Sequence, residues 1–135
     1  MISDLWINLP VKDIAKSRDF FKALGFSFNS QHGNTDNSIS LVVGKKGIVV
    51  MMFDQATFKG FVNGEVADAV RGTEVLLSIG VDSKEEVDEF ARKAVAAGGK
   101  SNHKPTEMKG WMYGSLFEDL DGHKWNLLYM NMSKM

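Results

Sequence analysis

Hydrophobic positions in this chain change period in a fixed order, and the order occurs twice. From Trp6 to Val11, Ile7, Leu9 and Val11 alternate with Trp6, Asn8 and Pro10, the period of two expected of a strand with two different faces. Pro10 cannot donate to a ladder, which places it near a strand end or on an edge. Ile14, Ser17, Phe21 and Leu24 then fall on one helical stripe, with Asp13 as the N-cap and Gly25 as the left-handed stop. Phe26 restarts extended structure, and Ser27 to Asn37 reads as a polar turn region. The apolar runs Ile39–Val43 and Ile48–Phe53 flank Gly44, Lys45, Lys46 and Gly47 as a hairpin.

The same grammar returns after Thr73. A strand runs to Val81, and Val87, Phe90, Ala91, Ala94 and Val95 form a helical stripe that Gly98 and Gly99 stop. Strands around Trp111–Phe117 and Lys124–Met130 flank an Asp121-Gly122 turn. Val11 and Val81, Gly25 and Gly98, and Gly47 and Gly122 keep a near-constant offset. The pattern predicts an α+β fold of two tandem βαβββ modules, a curved mixed sheet around a cavity with the helices outside. Module 1 spans about 1–53, a connector about 54–72 and module 2 about 73–135, all within a single domain, 1–135. A ferredoxin-like βαββαβ domain is the alternative, and it leaves one strand in each half unexplained.

Charge and composition narrow the function. Sixteen basic and seventeen acidic residues are interspersed and give a formal charge of −1, which provides no electrostatic footprint for nucleic acid or an anionic membrane. Without cysteine there is neither a disulfide framework nor a thiol nucleophile. The start MISDLWINLPVKD lacks a signal-peptide pattern, and no apolar run approaches the roughly 20 residues of a membrane span, so the expectation is a soluble, cytoplasmic protein.

The stretch from Leu9 through Val11, Asp13, Ser17 and Phe20-Phe21 to Leu24-Gly25-Phe26, with Phe117-Glu118-Asp119-Leu120-Asp121-Gly122-His123 near the other end, resembles the glyoxalase, bleomycin-resistance and extradiol-dioxygenase superfamily, also called the vicinal oxygen chelate fold. The resemblance covers essentially the whole chain. It implies a divalent metal held by His, Glu or Gln on the first and last strands of the modules. By spacing, those positions are Trp6 and Leu76 on the first strands and Met51 and Asn126 on the last. An indole donates only, an alkyl chain offers nothing, a thioether suits soft copper and a lone amide oxygen is a poor carboxylate substitute. A shift of one residue brings in Leu5 or Ile7 and Trp125 or Leu127, and Glu74 enters only after two; no register supplies two His and a carboxylate. The expectation is therefore no metal and no cofactor, and neither glyoxalase I nor extradiol dioxygenase activity.

His32, His103 and His123 have no ligand spacing, and His123 after a turn glycine reads as solvated. Asp119 and Asp121 shape the turn, while Glu118 precedes it on a strand. Lys45 and Lys46 lack the following helix of a phosphate loop. Met51, Met52, Met108, Met112, Met130 and Met132 lie on or beside strands, either as core filling or as an adaptable pocket wall.

Alternation sends Trp6, Asn8, Leu76, Ser78, Asn126, Leu128 and Met130 to the cavity beside Met51, with Tyr113 as a further candidate from a neighbouring strand. Such a lining suits a small organic molecule with an apolar or aromatic body and a few hydrogen-bonding groups. The resulting expectation is a metal-independent small-molecule binding protein of the glyoxalase/bleomycin-resistance type, although bleomycin itself, a bulky cation, matches this nearly neutral chain poorly. Two other readings stand beside it: Trp6 plugging a closed core, and a lyase or dioxygenase-type enzyme with a divergent metal or acid/base site using Glu118, Tyr113 or His123. Phe58 and Phe61 in the connector, which join no stripe, together with the resemblance, point to a homodimer.

Overall fold

A computed structural model describes residues 1–134; Met135 and the side chains of Asn102 and His103 lie outside the described residues. The chain divides into two compact units, Met1–Ala67 and Asp68–Met135, with the break inside the expected connector.

Unit 1 contains β1 (Trp6–Val11), α1 (Ile14–Leu24), β2 (Ser27–Phe28), β3 (Ser38–Val43), β4 (Ile48–Asp54) and α2 (Gln55–Val62). Helix α1 begins where expected because Asp13 accepts a hydrogen bond from the Lys16 N–H at 3.0 Å. It ends at Gly25, whose φ of 89° is left-handed. The sheet order is β1-β4-β3-β2, with β1 parallel to β4 and the other pairs antiparallel. Val11, Phe20, Phe21, Leu24, Ile39, Leu41 and Met52 are fully buried between sheet and helix. Phe21 meets Phe20 and Phe26 edge-on, each at 5.1 Å between centroids.

Unit 2 contains β5 (Leu76–Gly80), α3 (Lys84–Ala96), β6 (Lys100–Met108), β7 (Met112–Glu118), β8 (Lys124–Met130) and a 3-10 turn at Met132–Lys134. Its order, β5-β8-β7-β6, repeats that of unit 1 strand for strand, including the parallel first pair. The duplication read from periodicity is thus a duplication of topology, with strand pairing confined to each module. Helix α3 buries Val87, Ala91 and Ala94 against β6, β7 and β8. Two stripe positions differ from expectation: Phe90 is half-buried and Val95 is 55% exposed, because the small alanines carry the contact and turn the helix's flank outward.

The unit 2 hairpin is tied from inside. Asp119, buried, accepts from the backbone N–H groups of Asp121 and His123 at 3.0 Å each and from the Trp125 indole at 3.1 Å. That indole stacks on Phe117 with 6.2 Å between centroids. Gly122 is required twice over: its φ is 86°, and a Cβ there would lie 2.8 Å from Val70. No helix of the described residues is long and apolar enough to cross a membrane.

Candidate functional site

Each sheet has one face under its long helix, α1 or α3, and an opposite face free of it; in unit 1 the short helix α2 meets that opposite face at the end of β4, where Phe61 lies edge-on to Phe53 at 4.9 Å. Strand partners share a face, so the register lays out the free faces directly. In unit 1 the rows are Trp6–Val49–Val42, Asn8–Met51–Ser40 and Pro10–Phe53–Ser38. In unit 2 they are Leu76–Lys124–Glu118, Ser78–Asn126–Leu116, Gly80–Leu128–Gly114 and, beyond β5, Met130–Met112–Met108.

Trp6, Asn8 and Met51 therefore share the free face of unit 1, and Leu76, Ser78, Asn126, Leu128 and Met130 that of unit 2. Trp6 is 64% exposed and is not a core plug. Asn126 donates through Nδ2 to Ser78 Oγ at 3.3 Å, a pairing their shared row predicts. Tyr113 does not belong with them. Its parity is that of Ser115 and Phe117, on the helix side, where its hydroxyl donates to Asp88 on α3 at 2.6 Å. That bond, followed by desolvation, pushes the phenol up to about 12.

Sequence reasoning missed a cover over unit 1. The segment between β2 and β3 folds back onto the free face, bringing Gly33 so close that a Cβ there would lie 2.7 Å from Ser40 Cβ and 2.9 Å from Met51 Cε. Asn34 fastens it like an extra peptide group, accepting from Ser40 N at 2.9 Å and donating to Asn29 O at 2.8 Å. Ser38 Oγ donates to Gly33 O at 2.7 Å, and Arg18 donates to the carbonyls of Thr35 and Ser38. The Asn29, Gly33 and Asn34 cluster carried the signal, but turn composition alone does not reveal which surface a turn will lie on.

The ionisable groups nearby are already engaged. Lys124 Nζ donates to Gly122 O at 2.7 Å and to Ala69 O at 2.9 Å, and lies 3.5 Å from Glu118 Oε1. Two carbonyls thus accept from the ammonium, and the Glu118 carboxylate balances its charge. Among the described residues no three His, Cys, Asp or Glu side chains form a group able to hold a metal. Neither Trp6 and Met51 in unit 1 nor Leu76 and Asn126 in unit 2 supply donors that fit a hard divalent cation, and Met51 lies under Gly33.

Unit 2 also has a recess of about 220 Å³ on the helix side, by the start of α3, lined in part by Lys84, Glu107, Trp111, Tyr113 and Tyr129. At its mouth Lys84 pairs with Glu107 and lies 5.5 Å from the centre of the Tyr113 ring. The free faces, with exposed apolar groups beside the Asn8 and Asn126 amides, are the better candidates.

A family model described as Glyoxalase/Bleomycin resistance protein/Dioxygenase superfamily matches residues 5–127. No curated protein matches the chain. Among solved structures, the chain is similar to a hypothetical protein SA1046 from S. aureus, at 36% identity over 96% of this chain and 94% of that one, with a TM-score of 0.83. A glyoxalase/bleomycin resistance protein/dioxygenase family enzyme from Burkholderia phytofirmans PsJN is 20% identical over 95% and 99% of the two chains, with a TM-score of 0.78. The fosfomycin resistance protein FosX from Listeria monocytogenes, complexed with Mn(II) and sulfate, is 19% identical over 99% and 95%, with a TM-score of 0.67. The last two likenesses concern the fold alone.

Proposed function

Because the chain belongs to the glyoxalase/bleomycin resistance protein/dioxygenase superfamily, we propose that it is a metal-independent member that binds a small organic molecule on the free faces of its sheets. One observation carries this reading: the four positions where the family resemblance implies metal ligands hold Trp6, Met51, Leu76 and Asn126, a set of aromatic, thioether, alkyl and amide groups. Such groups make poor ligands for a hard cation and a good apolar lining with hydrogen-bonding points. Acid/base chemistry has less support, since Glu118 is paired with Lys124 and Tyr113 is held by Asp88 as a very weak acid.

Elemental analysis of the purified protein, with native mass spectrometry for co-purifying compounds, tests this. The expected result is a bound organic species and no stoichiometric metal. Near-unit zinc, nickel, iron or manganese surviving dialysis would overturn it. We also propose a homodimer, on the strength of Phe61, which is exposed despite its edge-on contact with Phe53; light scattering giving the 15.0 kDa monomer at micromolar concentration would reject it.

A further inference from the structure

Unit 2 has two glycines within its strands, and only one is explained by packing. At Gly114 a Cβ would lie 2.9 Å from Leu127 O, 2.9 Å from Leu128 Cδ2 and 3.1 Å from Met108 Cε. The side chains of Leu128 and Met108 have taken that space. Gly80, the last residue of β5 and the partner of Leu128 on the other side, has no such neighbour. Nothing lies within 4 Å of its Cβ position, and its φ is not left-handed. Glycine at a strand position costs backbone entropy and packs nothing. Here neither conformation nor contact within the chain requires it, and Leu128 leans away toward Gly114. What the missing side chain preserves is open room on the free face.

We propose that the room above Gly80 is a binding site for a neutral, flat hydroxy-aromatic molecule, which narrows the ligand class of the function proposed above and rests on that reading. Leu128 and Met130 would border the ring, the latter with a polarizable thioether suited to aromatic contact. Ser78 precedes Gly80 by two residues on the same face and receives the Asn126 amide N–H. That bond leaves the serine hydroxyl as donor and the Asn126 carbonyl as acceptor, one of each for an aromatic hydroxyl. The cation in the rows, Lys124, donates to Ala69 O and Gly122 O and has its charge balanced by Glu118 at 3.5 Å, so the face offers an anionic group no spare counter-charge and favours the neutral compound.

The probe is 2-naphthol, titrated into the full chain by ligand-observed NMR, with 2-naphthalenesulfonate as its anionic counterpart. Gly80→Val is the steric test, because its backbone is ordinary for a strand and its Cβ site is free. Wild type should bind 2-naphthol, and more tightly than the sulfonate. Gly80→Val should weaken binding about tenfold or more, the scale of one displaced contact group, with its thermal midpoint kept or raised. Asn126→Leu, independent of the strand substitution, should reduce the preference for 2-naphthol over naphthalene. Full-strength binding in folded Gly80→Val, equal or tighter binding of the sulfonate, or no 2-naphthol binding by wild type would each overturn this site. A co-purifying compound that binds Gly80→Val as well as wild type would overturn it while leaving the broader binding function standing.

Discussion

Replacing Trp6 and Phe21 separately with alanine tests the division into a buried helix face and a free face. Phe21 is 1% exposed and meets two rings edge-on; removing it opens a cavity, and losses of about 3 to 5 kcal/mol are typical of buried phenylalanine. Trp6 is 64% exposed, so roughly a third of its surface is covered. That is on the order of 80 Å² of apolar area, worth about 2 kcal/mol at ~25 cal/mol per Å² and less against a partly compact unfolded chain. The expected stability loss is therefore about 1 kcal/mol. Urea unfolding followed by circular dichroism gives both numbers on one scale. Acrylamide quenching gives a second check, since Trp6→Ala removes the most exposed of three emitters and leaves Trp111, half-buried, and Trp125, 1% exposed, so quenching should fall. A Trp6→Ala loss equal to that of Phe21→Ala would show Trp6 to be core and refute its place on a binding face. If Trp6 contacts ligand, the same substitution weakens binding of the co-purifying compound by about 1 to 3 kcal/mol.

Asp119→Ala leaves the buried Trp125 indole and two backbone N–H groups without their acceptor, and chemical denaturation should show a loss of about 2 to 4 kcal/mol; less than 1 kcal/mol would mean the hairpin does not depend on it. Burial raises the Asp119 carboxyl above the usual aspartate value, opposed chiefly by His123. The folded form thus holds this proton to higher pH than the unfolded form, and the associated stability is fully present below the usual value and lost as pH rises through the raised one. The stability of wild type relative to Asp119→Asn should accordingly fall as pH is raised from about 4 toward neutrality, and a rising difference would reverse the sign. Asn34→Ala should release the cover over Met51 and speed peroxide oxidation of that residue several-fold, measured by peptide mass spectrometry, while fully buried Met52 stays protected. Unchanged Met51 reactivity would mean the cover holds without Asn34.

Local rules sufficed for much of this molecule. Asp13 and Gly25 bound α1 because capping is decided within a few residues. The alternation around Ile7, Leu9 and Val11 assigned Trp6 and Asn8 to the free face because strand period is intrinsic to the backbone. The repeat was legible because both modules use the same periods in the same order. Other features depended on partners distant in sequence. Tyr113 could be placed only once its pairing with Tyr129 and the reach to Asp88 were known. The cover of Gly33 on Met51 joins residues whose contact no period encodes. The contrast between Gly80 and Gly114 is invisible in the sequence, where both are simply strand glycines; whether a missing side chain is a tight fit or an opening is set by what the neighbouring strands put beside it.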